Sequence, residues 1–300
     1  MHVNPVALIA LAALSTCTPD TGPAELTGRV VEAYDLAFFG GLSGLDFGAD
    51  EGEVTLLLDS GLLIRGQLQR DAAGAPTGLR RWRLVPIEDR RDGMFGQRGM
   101  DAEGVAVDGA DIYVSLERVH AVWRLSGFGE VVERLPPPPG TDELGSNASF
   151  EALAVAGGAL YTLPERSATR GTPFPVWRFA DGAWEPAFSL PRRGRFLAVG
   201  ADFGPDECFY LLERRFLPPA WFATRVRRFA TFGGEVVAEE TVLETALGTH
   251  DNLEGIAVWG DAAGDIRLTM VSDDNFSRWQ ETQIVDYRVP ATLDCEGGGS

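Results

Sequence analysis

The chain has no lysine: its 26 Lys+Arg side chains are all arginine. That absence excludes Schiff-base catalysis and a Walker-type phosphate-binding lysine. Histidine is scarce too, and of its three copies only His120 and His250 fall in the body of the chain. No Gly-x-Ser-x-Gly sequence occurs, which argues against a serine esterase built on a nucleophile elbow. The three cysteines form no Cys-x-x-Cys pair, so the usual thiolate zinc spacing is missing. Helix-period patterning is almost absent, and no apolar run is long enough for a stable membrane span. Basic charge is itself in deficit. With 44 acids against 26 bases the net charge is −18, which repels nucleic acid and anionic lipid.

What is present begins with an apolar run, Val6 to Cys17, that ends in small residues and reads as a secretion signal. Leu14-Ser15-Thr16-Cys17 resembles a bacterial lipoprotein processing site with Cys17 as the lipidated residue; a plain cleaved signal peptide is the other reading. The expected layout is a signal over residues 1–17, a tether over 18–25, one domain over 26–292 and a flexible tail over 293–300. The protein is then exported, to the periplasm or to the outer membrane, and touches a membrane only through its lipid. In an oxidising compartment Cys208 and Cys295 form either one disulfide or two separate thiols.

Five times a short strand-like segment is followed, 14 to 19 residues later, by a second one ending in an acid. The first segments start at Ser43, Glu103, Glu151, Arg195 and Glu254, and the second end at Asp59, Glu117, Glu165, Glu213 and Asp273. Corresponding positions recur every 44 to 60 residues, a period that marks a repeat architecture of short strands. The predicted fold is all-β: a β-propeller of five four-stranded blades, with six blades as the alternative. The fifth repeat supplies only three strands, and Thr27–Tyr34 matches the missing outer strand, so the N-terminus closes the ring and removes its free edges. The Arg-, Asp- and Gly-rich segment Glu88–Met100 is placed as a loop over one face. Phe216–Phe222 is placed as a lid or as an apolar loop packed between blades.

In a propeller the first strand of each blade lines the channel, and the second runs back beside it. Ser43, Glu103, Glu151, Arg195 and Glu254 are therefore expected as an inner ring, with the five second-segment acids around it. Eight of these ten positions are carboxylates, a crowding that needs cations or protons to offset it. Arg118, Arg166 and Arg214, each directly after a ring acid, and Arg195 supply part of the compensation. Calcium is the expected cofactor, held by Glu103, Glu151, Glu254, Asp273 and Asp274. The plainer reading makes the same acids structural, bonded to backbone N–H groups and arginines between blades.

Five stretches carry a family resemblance: Phe39–Leu45 (FGGLSGL), Asp101–Ala106 (DAEGVA), Asn147–Glu151, Asp251–Ile256 (DNLEGI) and Ser272–Phe276 (SDDNF), with Gln280 beyond. In this order they make the chain similar to the phytase-like family, often labelled "esterase-like activity of phytase". The resemblance implies an exported propeller that hydrolyses a phosphate or carboxylate ester, without assigning catalytic roles. The leading expectation is a metal-dependent phosphoester hydrolase with Glu254, His250 and Asp273 as catalytic candidates. Arg195, Ser43, Arg118, Arg166, Asn252 and Asn275 are its expected contacts to a small anionic or ester substrate. The alternatives are a lactonase or carboxylesterase of gluconolactonase-like type, and a non-catalytic propeller that binds a ligand or protein.

Overall fold

The computed structural model describes residues 20–32, 39–48, 52–90, 94–95, 100–117, 119–139, 141, 150–219, 221–290 and 295. Residues 1–17, Arg118 and Asn147 therefore lie outside the described residues, and with them the expected signal and the Cys17 lipidation site.

Alternating apolar and polar residues, rich in Val, Leu, Phe and Tyr, build strands that meet at tight turns. The Gly157-Gly158 turn is one example: both residues sit at positive φ, 58° and 73°, as a two-residue hairpin requires. The N-terminal strand is β1 (Glu25–Glu32). Blade 1 holds β2 (Leu42–Phe47), β3 (Glu53–Leu58), β4 (Leu62–Arg70) and β5 (Pro76–Pro86). A short ribbon of β6 (Glu88–Asp89) and β7 (Met94–Phe95) follows. Blade 2 holds β8 (Ala102–Asp108), β9 (Asp111–Leu116), β10 (Ala121–Leu125) and β11 (Val131–Arg134). Blade 3 holds β12 (Phe150–Ala156), β13 (Ala159–Pro164), β14 (Phe174–Ala180) and β15 (Ala183–Leu190). In blade 4 are β16 (Leu197–Phe203), β17 (Phe209–Leu217), β18 (Trp221–Phe232) and β19 (Glu235–Glu244). Blade 5 contributes β20 (Asn252–Gly260), β21 (Ile266–Asp273) and β22 (Thr282–Val289).

Every blade is antiparallel in chain order, and β1 completes the fifth by pairing with β22. The five-blade propeller closed by its N-terminal strand is what the repeats predict. Five buried apolar clusters glue it together, one at each junction between neighbouring blades. The junction of blades 5 and 1, for example, packs Ala257, Val271 and Ile284 against Leu45, Leu56 and Ile64. Stability is thus spread around the ring, and no blade buries its faces alone.

Four connecting segments are placed by their contacts. The tether is docked from Asp20 onward: Thr21 and Glu244 exchange backbone bonds of 2.8 and 2.7 Å, and Ala24 N–H donates to Val242 O at 2.9 Å. Backbone groups left on the outer strand of blade 4 provide the partners. Near the other terminus Cys295 is buried and disulfide-bonded to Cys208, with Cα atoms 5.2 Å apart, so the tail is anchored there. The segment after blade 1 laces it to the outer part of blade 2, because Glu88 N–H donates to Gly129 O at 2.9 Å and Asp89 pairs with Arg134. Phe216–Pro219, with Trp221 and Phe222, forms the described part of the tip of the β17–β18 hairpin. Its two terminal Phe rings lie 5.1 Å apart, and Gly248 N–H bonds to Phe222 O at 2.7 Å.

Candidate functional site

The site grows out of one device repeated in all five inner strands. Each carries a bulge at its entrance, between Leu42 and Gly44, Ala102 and Gly104, Phe150 and Ala152, Ala198 and Gly200, and Leu253 and Gly255. A bulge inserts one unpaired residue and re-aims its side chain. The bulged residues are Ser43, Glu103, Glu151, Val199 and Glu254. Each is followed by Gly or Ala because the inner strands nearly touch: a Cβ on Gly255 would sit 2.8 Å from the Gly44 Cα, and one on Gly200 would sit 2.7 Å from Glu254 O. The channel between them narrows to a void of about 10 Å³, room for roughly one water. A ligand must therefore meet these residues from the mouth.

The register corrects the predicted rings in blade 4. The inner position there belongs to Val199, while Arg195 is exposed in the turn before β16. The same offset moves the outer position. Asp59, Glu117, Glu165 and Asp273 each stand one residue beyond the partner of the pre-bulge residue, and in blade 4 that residue is Arg214. Glu213 turns the other way and is fully buried between Arg225 and Arg227, accepting two bonds from each at 2.7 to 3.0 Å. The ten positions of the two rings thus hold seven carboxylates and one guanidinium, with Ser43 and Val199 as the other two. The overlooked cue is Val199-Gly-Ala-Asp-Phe203, a copy of Ser43-Gly-Leu-Asp-Phe47, which charge matching hides.

Arg214 is the hub of the compensation. It pairs with Glu254, reaches Glu165 Oε1 at 3.3 Å and donates to Asn252 Oδ1 at 2.9 Å. Asn252 is buried and its amide donates to Glu254 Oε1 at 2.9 Å, so the predicted Asn252 is in the site as a positioning residue. Glu103 and Glu151 have no hydrogen-bond or ion-pair partner among the described residues. Burial, then the charges of Glu254, Glu117, Asp101 and Asp273, push the Glu103 carboxyl well above the usual range. Burial, Glu165 and Glu103 do the same to Glu151, against the pull of Arg214. Burial also raises Glu254, opposed by Arg214, and burial with Glu254 raises Asp273 to about 8.

Below this mouth lies a second carboxylate layer that the sequence reading missed. Asp46 and Asp202 occupy the same position of their inner strands, where blades 2, 3 and 5 carry Ala106, Ala154 and Ala257. Each stitches its blade to the next, Asp46 accepting from Val107 N–H and Asp202 from Val258 N–H, both at 2.7 Å. Burial raises Asp46 to about 7, and burial with the charge of Asp46 raises Asp202 well above its ordinary value.

The remaining predicted residues separate into those at the mouth and those committed elsewhere. Ser43 is buried in the inner ring and donates to Ala102 O at 2.6 Å, a bond between blades. Arg166 binds Glu165 Oε2 at 2.6 Å from the rim. Asn275, at φ 48°, is exposed and donates its backbone N–H to Asp273 Oδ1 at 2.6 Å. Asp274 departs from the metal set: its oxygens accept from Gly41 N–H at 3.1 Å, Phe276 N–H at 2.9 Å and the Thr282 hydroxyl at 3.1 Å, which clasps blade 5 to blade 1. His250 departs from the catalytic set. It is buried with Nε2 2.6 Å from the Tyr287 hydroxyl, and burial lowers its pKa to about 4. The charges that act on it are Asp20 and Arg29, and no ring acid is among them.

As a donor set Glu103, Glu151, Glu254 and Asp273 suit a hard cation, being all oxygen and mutually repelling. They do not form a closed cage. Among the described residues the one trio with ligand atoms within 4.8 Å of one another is Asp206, Cys208 and Cys295, whose sulfurs are bonded together. A cation in the basin would complete its shell with water or substrate oxygens.

With the fold and the basin in view, the chain belongs to the Phytase-like family, described as "Esterase-like activity of phytase", which matches residues 37–276. No curated protein matches it. Among solved structures it is similar to the glutaminyl cyclase of Myxococcus xanthus, at 15% identity and a TM-score of 0.47 over 89% of this chain and 97% of that one. A PQQ-bound aldose sugar dehydrogenase from Streptomyces coelicolor gives 13% identity and a TM-score of 0.48 over 90% and 99%.

Proposed function

We propose that the protein is an exported, cation-dependent hydrolase acting on a phosphoester at the acidic mouth of the propeller. One observation carries this reading. Glu103 and Glu151 are sunk in a basin of like charge with no partner among the described residues, although leaving buried acids uncompensated works against folding. Calcium would neutralise the basin and act as a Lewis acid toward a phosphoryl oxygen. Glu103, Glu151, Glu254 and Asp273 are the residues that would hold it. Without the ion Asp273, raised to about 8, keeps its proton at neutral pH, and it would release that proton on joining the donor set. Arg214, held by Asn252, Glu254 and Glu165, offers a fixed positive charge to a phosphate oxygen, and Arg166 extends that charge to the rim.

A carboxylic ester or lactone is the second reading. The family's esterase-like description favours it, and a neutral ester enters a negative basin without repulsion. The apolar leader and the Cys208–Cys295 disulfide support export, and the mass of the mature N-terminus would test lipidation at Cys17.

The test is phosphate release from a panel of phosphomonoesters by metal-stripped protein, with and without added calcium. Calcium-dependent release that vanishes in the Glu103→Gln, Glu151→Gln double variant is expected. Absence of both phosphate release and calcium-binding heat would overturn the reading. Lactone hydrolysis without phosphatase activity would promote the second.

A further inference from the structure

Next to the acidic basin, the chain gathers its arginines. The turn from β15 to β16, the mouth end of β17 and the start of β18 enclose a groove of about 700 Å³, lined by Arg192, Arg193, Arg195, Phe196, Arg215 and Arg225. Glu244 is the one acid of that lining. Five guanidiniums in one groove need an explanation in a chain whose net charge is −18.

Two of the five are already satisfied. Arg225 is bound in a fork to Glu213 at 2.8 and 3.0 Å, and Arg193 to Glu239 at 2.9 and 3.3 Å. The other three, Arg192, Arg195 and Arg215, have no ion pair among the described residues. Two of these are nevertheless held in place. Arg215 lies over one ring, Phe196, that Arg225 also covers, at 5.3 and 4.1 Å from its centroid. Arg192 lies 5.4 Å over Phe174 and donates to the Ser167 hydroxyl at 3.2 Å, while its buried Nε has no partner among the described residues. Burial, with the charges of Arg170 and Arg166, lowers the Arg192 pKa and outweighs the opposing charges of Glu165 and Glu213.

We propose that this groove is an oxyanion site, separate from the acidic basin, that binds a phosphate or sulfate group through Arg192, Arg195 and Arg215. Guanidiniums present planar paired donors that match tetrahedral oxyanions, and stacking on aromatic rings fixes them in advance. An extended polyanion is disfavoured because the chain as a whole carries a net charge of −18. The site makes no use of a cation in the basin, so it stands or falls independently of the catalytic reading.

Isothermal titration of inorganic phosphate, and separately of sulfate, into metal-stripped full-length protein at low ionic strength tests it. Saturable binding is expected, weakened by roughly tenfold or more in Arg195→Ala, Arg215→Ala and kept in Glu103→Gln, Glu151→Gln. Arg195 is exposed, so Arg195→Glu alone preserves the fold and serves as a second probe should loss of the Arg215–Phe196 stack disturb it. The proposal is wrong if neither anion binds at concentrations on the order of 10 mM. It is equally wrong if both groove variants bind as the parent does, or if the basin variant abolishes binding.

Discussion

Glu151 and Glu213 are the same residue type in adjoining repeats, and the fold treats them oppositely. Glu213 is enclosed by two guanidiniums, each of which bonds both of its oxygens. Glu151 stands in the inner ring with no partner among the described residues and with like charges around it. A shift of one residue in blade 4 separates these outcomes, because side chains along a strand alternate between faces. The shift also swings Arg214 into the ring and leaves Arg195 and Arg215 to the neighbouring groove. At the two rings blade 4 therefore supplies the guanidinium while blades 1, 2, 3 and 5 supply the carboxylates, although all five come from one repeat.

Breaking the paired side should have the largest effect. Glu213→Gln leaves Arg225 and Arg227 short of a buried counter-charge and should cost about 3–5 kcal/mol in chemical denaturation. A loss under about 1 kcal/mol would show that blade 4 does not depend on this pair. Replacing Cys208 and Cys295 together by serine opens a loop spanning 87 residues and should cost about 2–5 kcal/mol, read as a shift in denaturation midpoint against the oxidised parent. If the oxidised parent and the variant unfold alike, the disulfide contributes nothing.

Arg214→Leu attacks the bridge between the two regions. It removes the ion-pair partner of Glu254 and one of the two that Glu165 has, and the expected destabilisation is about 2–3 kcal/mol near pH 8. Near pH 5 the loss should shrink, because Glu254, raised by burial, regains its proton and no longer needs the arginine. A loss equal at both pH values would mean that Arg214 contributes through packing alone.

The smallest effect concerns the unpaired acids themselves. Glu103, Glu151 and Asp273 hold protons in the folded chain at pH values where the unfolded chain has released them. Stability of the metal-free protein should then fall as pH rises from the ordinary carboxylate range, near 4, toward 8. A drop of a few degrees in Tm is expected, the size that about 1 kcal/mol produces in a domain this large. Added calcium should restore it at the alkaline end. Flat or rising stability over that interval would show the basin acids to be compensated.

Much of the site was legible because the Glu-Gly pairs at residues 103–104 and 254–255 combine a mouth acid with the glycine that close inner strands demand. Arg195 was misplaced because matching charges across repeats ignores the bulge, whereas the glycine at 200 marks the true register. His250 looked available in an acidic loop until Tyr287, thirty-seven residues further on, proved to hold it. The docked residues Asp20–Ala24 carried no pattern of their own; edge groups of blade 4 ordered them.

What the sequence alone determined is the repeat, the five blades and the N-terminal strand that completes the last, since these follow from hydrophobic alternation and spacing. Tertiary structure alone decided which charges meet. Bulges set facing residue by residue, and the partner of a buried charge comes from a strand dozens of positions away, which no local pattern encodes.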